Sequence, residues 1–121
     1  MMRFTFALLV SLALPLAAQQ GRGTILGTVT DASGAAVPNV KISVTNTGTN
    51  FSFQAETSQE GFYTTPAIPI GAYTVSAEAA GFKKVTRTGI TLQVDQRAQV
   101  NMLLEIGAVT DSVEVNAQAE L

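Results

Sequence analysis

Val40-Lys41-Ile42-Ser43-Val44-Thr45-Asn46 alternates strictly between apolar and polar side chains, and Tyr73-Thr74-Val75-Ser76-Ala77-Glu78-Ala79 does the same further along. Successive side chains of a β-strand point to opposite faces. Alternation therefore puts Val40, Ile42 and Val44, and likewise Tyr73, Val75, Ala77 and Ala79, on one inner face. Lys41, Ser43, Thr45, Thr74, Ser76 and Glu78 fall on the other. Each strand then has one wet face. Antiparallel layers need that pattern, whereas strands buried in a parallel sheet would be apolar continuously.

Working outward, similar short runs fill the chain: Thr24–Thr30, Phe51–Ser58, Phe62–Ile68, Lys83–Thr88, Ile90–Val94 and Gln99–Glu105. Turn chemistry separates them, as in Asp31-Ala32-Ser33-Gly34, Thr47-Gly48-Thr49-Asn50 and Gln59-Glu60-Gly61. Thr and Val make up roughly a quarter of residues 19–121, and such β-branched side chains suit a pleated, half-buried surface. Seven or eight short strands at this spacing indicate a sandwich or small barrel. Gly34, Gly61 and Gly71 stand where turns call for positive φ, and Pro38 and Pro69 preset φ at turn entries. With Gly27, Asp31 and Gly81 they form a set of structural turn residues. Tyr63 and Tyr73 lie on inward faces and, with Phe82, are the expected core aromatics. There is no internal repeat and no low-complexity tract.

The first 18 residues read as a targeting segment. Met1-Met2-Arg3 gives a positive start and Phe4 to Leu16 an apolar run, ending in Leu16-Ala17-Ala18. This is a secretory signal-peptide pattern, with cleavage expected after Ala18. The run is too short to span a bilayer comfortably, which takes roughly 20 apolar residues, so no transmembrane helix is expected in the mature chain. Residues 19–23 lead into the domain, 24–106 form the β-sandwich, and 107–121 supply a linker and one more strand, Ser112–Val115. The mature chain of about 103 residues buries a little over 60% of its extended surface, enough for a modest core.

Composition removes several function classes. The sequence has no Cys and no His, so Ser-His-Asp and Cys-His nucleophile systems, haem or iron–sulfur ligation and ordinary zinc sites are ruled out. No catalytic residue, metal site or cofactor is expected, and the chain reads as non-enzymatic. A net charge of −2 provides no footprint for nucleic acid.

Gly27-Thr28-Val29-Thr30-Asp31-Ala32-Ser33-Gly34-Ala35-Ala36-Val37-Pro38-Asn39-Val40, then Glu60-Gly61-Phe62-Tyr63, Pro69-Ile70-Gly71-Ala72-Tyr73-Thr74-Val75 and Ala80-Gly81-Phe82 resemble the carboxypeptidase regulatory-like domain. The resemblance covers about residues 23–105 and implies an all-β, seven-stranded antiparallel Greek-key sandwich, transthyretin-like and grouped with carbohydrate-binding-like folds. Adding Ile90-Thr91-Leu92-Gln93-Val94, Leu104-Glu105-Ile106-Gly107-Ala108-Val109 and Val113-Glu114-Val115, the string looks like the N-terminal extension of bacterial TonB-dependent outer-membrane receptors. That implies export to the periplasm or outer membrane of a Gram-negative bacterium, a structural or recognition role, and a plug and barrel, or a periplasmic protein, as partner. Leu121 would then lie just before the plug. The alternative is a stand-alone secreted carbohydrate-binding module.

Other candidates weigh less. Gly21-Arg22-Gly23-Thr24-Ile25-Leu26-Gly27 superficially resembles a dinucleotide loop, but its last spacing is one residue too long and a strand follows. Asp31, Ser33 and Asn39 offer calcium only one carboxylate, where six or more ligands are needed. Sugar stacking would have to use Phe62, Phe51, Phe53 or Phe82, since there is no Trp. Lys41, Glu78 and Asn101 are the residue types of a Lys–Asn isopeptide bond, yet alternation directs all three to solvent. Lys83, Lys84 and Arg87 form a basic cluster read as protection of an edge strand against edge-to-edge pairing. Asn50-Phe51-Ser52 fits a glycosylation acceptor.

Overall fold

A computed structural model describes residues 21–108 and 110–116. The expected signal peptide, residues 1–18, lies outside the described residues, as do residues 19–20 of the leader and 117–121 of the C-terminal stretch.

Ten strands follow one another: β1 (Arg22–Asp31), β2 (Lys41–Asn46), β3 (Ser52–Glu56), β4 (Phe62–Thr64), β5 (Ile68–Pro69), β6 (Gly71–Glu78), β7 (Lys84–Leu92), β8 (Arg97–Gln99), β9 (Met102–Leu104) and β10 (Ser112–Asn116). They form two sheets. In the first, β1 is the spine: β5 and then β4 pair with it antiparallel, while β8 and then β9 pair with it parallel. Leu26 is partnered by both Thr64 and Gln99, so the two broken strands flank β1 on opposite sides. The second sheet runs β10-β7-β6-β2-β3. All its pairs are antiparallel except β10 on β7.

The expectation of a seven-stranded, wholly antiparallel Greek key is thus corrected, among the described residues, to ten strands in two mixed sheets. Three causes are visible. Phe62–Ile68 breaks into β4 and β5 because the chain leaves the ladder at Thr65, whose hydroxyl accepts from Ile25 N at 3.1 Å. Gln99–Glu105 splits where Val100 and Asn101 cross from β8 to β9. Lys83–Thr88 and Ile90–Val94, read as two strands, join as β7 through Gly89, whose φ of 74° forms a bulge opposite Thr74.

The alternation seen in sequence is realised in the core. Ile42, Val44, Tyr73, Val75 and Ala77 are buried against Ile25, Val29, Ile68 and Leu104 of the other sheet. Lys41 and Glu78 sit outside, opposite one another in register. Burial of such side chains contributes about 1.5–3 kcal/mol each, the main favourable term for a fold with no disulfide. Among the described residues two polar ones, Thr57 and Thr65, are buried, and both are satisfied. Thr57 Oγ1 accepts from Val40 N and donates to Val37 O, while Thr65 accepts as described.

Of the expected turn residues, Gly34, Gly61, Gly71 and Gly81 have φ of 85°, 72°, 148° and 84°. Asp31 ends β1 and accepts from Ser33 N and Ala35 N, holding the 31–35 turn. Pro38 lies in the next turn, and Pro69 lies in β5, paired with Arg22. Gly27 is a correction: it is not at a turn but inside β1, paired with Tyr63. A Cβ there would run into the carbonyl of Val100, so its role is to let the β8–β9 crossing lie flat on β1. Tyr63 and Tyr73 are each only 1% exposed, whereas Phe82 is a further correction, being a half-buried residue packed on the rim of the core.

Candidate functional site

The sandwich is open along one flank, where β9 of the first sheet faces β10 and β7 of the second. Val85, Arg87, Val113, Val115, Asn101 and Met102 line a groove there of about 240 Å³. Its geometry follows from register. Val85 and Arg87 share the inward face of β7 opposite Ala77 and Val75, and β10 sets Val113 and Val115 beside them. Arg87 therefore projects between the layers, where its Nη1 donates to Asn101 O at 2.7 Å. The neighbouring Val100 O accepts from the Tyr63 hydroxyl. Burial pushes the Tyr63 phenol above its ordinary range, and the Arg87 cation pulls partly the other way. The phenol accordingly stays protonated as a donor.

The lining offers apolar walls, one guanidinium, the amide of Asn101 and, at the rim, the carboxylate of Glu105. Glu105 also meets Lys83 Nζ at 3.7 Å, with both side chains substantially exposed. Among these lining residues no nucleophile stands beside a base. Among the described residues, no group of three or more His, Cys, Asp and Glu comes together to hold a metal.

Lys83, Lys84 and Arg87 do not form one basic cluster. β7 is not an edge strand, because β10 covers it, and Arg87 turns inward while Lys83 pairs with Glu105. The edge-protection reading is therefore corrected, and β10 in parallel register is what the sequence did not signal. Asn101 Oδ1 accepts from Thr28 N at 3.0 Å on the first sheet, far in the topology from Lys41 and Glu78 on the outside of the second. Those three residues are not brought together. Asp31 Oδ1 is committed to its own turn, and the Ser33 hydroxyl bond holds the carboxyl below its usual range. Asn39 has φ 60° and donates its N–H to Thr57 O in the following turn. Of the glycines of the dinucleotide-like string, Gly21 just precedes β1 and Gly23 and Gly27 lie within it, Gly23 packing under the carbonyls of Gln93 and Gln96.

The phenylalanines divide. Phe53 and Phe82 pack against the core, whereas Phe51 and Phe62 are 61% and 41% exposed. Phe51 stands edge-on to Phe53, ring centroids 5.0 Å apart, beside Asn50 of the acceptor sequon. No helix among the described residues is long and apolar enough to cross a membrane.

Two packed sheets, open along one flank, define the class as an all-β sandwich. Residues 24–105 match the carboxypeptidase regulatory-like domain family, and the chain belongs to it. It is 34% identical over 94 residues to the TonB-dependent transporter Oar of Myxococcus xanthus, covering 76% of this chain and 9% of that protein. The chain thus spans about a tenth of the length of the curated relative it matches. Among solved structures it is similar to a putative carbohydrate-binding protein from Pseudomonas aeruginosa, with TM-score 0.52, 22% identity and coverage of 72% of this chain and 92% of that one. It is also similar to the dioxygenase domain of a dioxygenase carbohydrate-binding protein fusion from Streptomyces sp. SirexAA-E, with TM-score 0.58, 13% identity and coverage of 78% and 86%. Both likenesses show the fold alone.

Proposed function

We propose that this chain is a non-enzymatic, exported module that serves as the periplasmic N-terminal domain of a TonB-dependent outer-membrane transporter. The observation that carries this reading is the 34% identity to Oar across 94 residues, more than the family model itself spans. A signal-peptide pattern in residues 1–18 supports export. The domain's work is recognition or support at the receptor's periplasmic side, with the plug and barrel or a periplasmic protein as partner. Antibody raised to the domain, applied to fractionated source cells, tests it. The expected band is several-fold larger than 12.6 kDa and sits in the outer membrane. A product in the cytoplasm overturns the reading.

A second reading is a stand-alone secreted carbohydrate-binding module. The exposed Phe51 and Phe62 rings favour it, since a ring face stacks on sugar C–H groups. It requires a small secreted band and a saturable rise in melting temperature with a glycan, because a ligand that binds only the native state stabilises it by mass action.

A further inference from the structure

Among the described residues the second sheet ends at β3, and the register fixes which backbone groups that edge presents. Asn46 N donates to Phe51 O and Thr57 N donates to Val40 O. In an antiparallel pair, alternate residues direct both backbone groups to the same neighbour. Phe51, Phe53, Ala55 and Thr57 therefore face β2, and the N–H and C=O groups of Ser52, Gln54 and Glu56 face outward along the open edge. The usual protections are missing from it: Ser52-Phe53-Gln54-Ala55-Glu56 contains no Lys, no Pro and no bulge. An open groove of about 590 Å³, lined by Asn39, Lys41, Gln54, Ala55 and Glu56, runs beside the strand.

We propose that β3 is a homotypic docking edge, which pairs antiparallel with β3 of a second copy about a two-fold axis through Gln54. The strand is self-complementary in that register. Ser52 meets the partner's Glu56 and Gln54 meets the partner's Gln54, so every outward backbone group is used. Phe53 then stands opposite the partner's Ala55, large against small, in the close non-hydrogen-bonded position. No like charges are opposed; sliding the pair by one step toward the C-terminus of β3 brings Ala55 against Ala55, and a further step sets Glu56 against Glu56. The inner faces of the two sheets become continuous, and the Phe51–Phe53 aromatic pair lies at the seam, covering the Phe51 ring that is exposed in one copy. An isologous contact of this kind closes on itself and does not propagate into fibres. The inference is independent of the transporter reading.

The test is sedimentation equilibrium on the purified full chain. A concentration-dependent dimer is expected. Gln54→Pro removes an N–H that faces the open edge, and Gln54→Lys places two cations across the axis; each also gives up the exposed bond from the Ser43 hydroxyl to Gln54 Oε1, and both are expected to keep the parent's β-sheet circular dichroism and raise the dimer Kd at least tenfold. Ser52→Lys brings a cation opposite the partner's Glu56 and is expected to lower it. A parent that remains monomeric, or a dimer that neither Gln54 variant weakens, overturns the proposal.

Discussion

At the scale of single residues, Gly27 shows how a position can matter through what it lacks. Its neighbour across the ladder is Tyr63, and the space a Cβ would occupy is already taken by the Val100 carbonyl. Backbone cannot rotate out of the way as a side chain can, so overpacking here separates β1 from the β8–β9 crossing. Gly27→Ala is expected to cost about 3 kcal/mol, at the upper end of the overpacking range, measured by urea unfolding. Asp31 makes the opposite point, since its carboxylate is what the turn is built around. The Ser33 hydroxyl, with the Ala35 and Ser33 amides, holds its folded pKa below 3.8. A group depressed on folding stabilises above its unfolded pKa and loses that contribution as pH falls through the folded value. The Asp31→Asn variant carries no such proton. Its melting temperature should therefore approach the parent's as pH falls below 3.8 and through the parent's lowered folded value.

At the scale of elements, β2 and β6 were legible in the sequence because each is central, long and wet on one face only. The breaks in β4–β5 and β8–β9 were not legible. They arise where Thr65 and Val100–Asn101 leave the ladder to serve bonds from β1, and nothing in local alternation records a distant partner. The open flank was hidden for the same reason. Arg87 looked like one of three surface cations, yet it shares the inward face of β7 with Val85, and the parallel pairing of β10 sets it between the layers. The strands differ in how well they are held. β6 has partners on both sides and a buried stripe, whereas β10 is an edge with only half-buried Val113 and Val115. Amide hydrogen exchange is expected to be slowest in β6 and markedly faster in β10, since edges with few buried contacts open locally. Equal protection of the two strands would mean that the groove flank is as firmly closed as the core.

At the scale of the whole molecule, family membership and sandwich architecture follow from features spread along the chain, and they outlast errors in any one strand. Strand count and direction did not share that robustness, because parallel pairing of β8, β9 and β10 depends on where the last third of the chain is laid down. The directions of the strands have one more consequence. β1 starts where Gly21 O accepts from Ile70 N, beside the start of β6, and β10 runs parallel to β7 back toward that same side. The chain thus enters and leaves at one pole. The turns at Gly34, Gly61 and Gly81 sit at the opposite pole, reached by neither exit. A short peptide inserted between Ser33 and Gly34 separates Asp31 from Ala35 and undoes that turn, so it is expected to lower the melting temperature at neutral pH at least as much as Asp31→Asn, while the β-sheet circular dichroism is kept, as exposed loop tips tolerate insertion. The sandwich is polarised: the first and last described residues head toward one pole, and the surface formed by the Gly34, Gly61 and Gly81 turns stands clear of both.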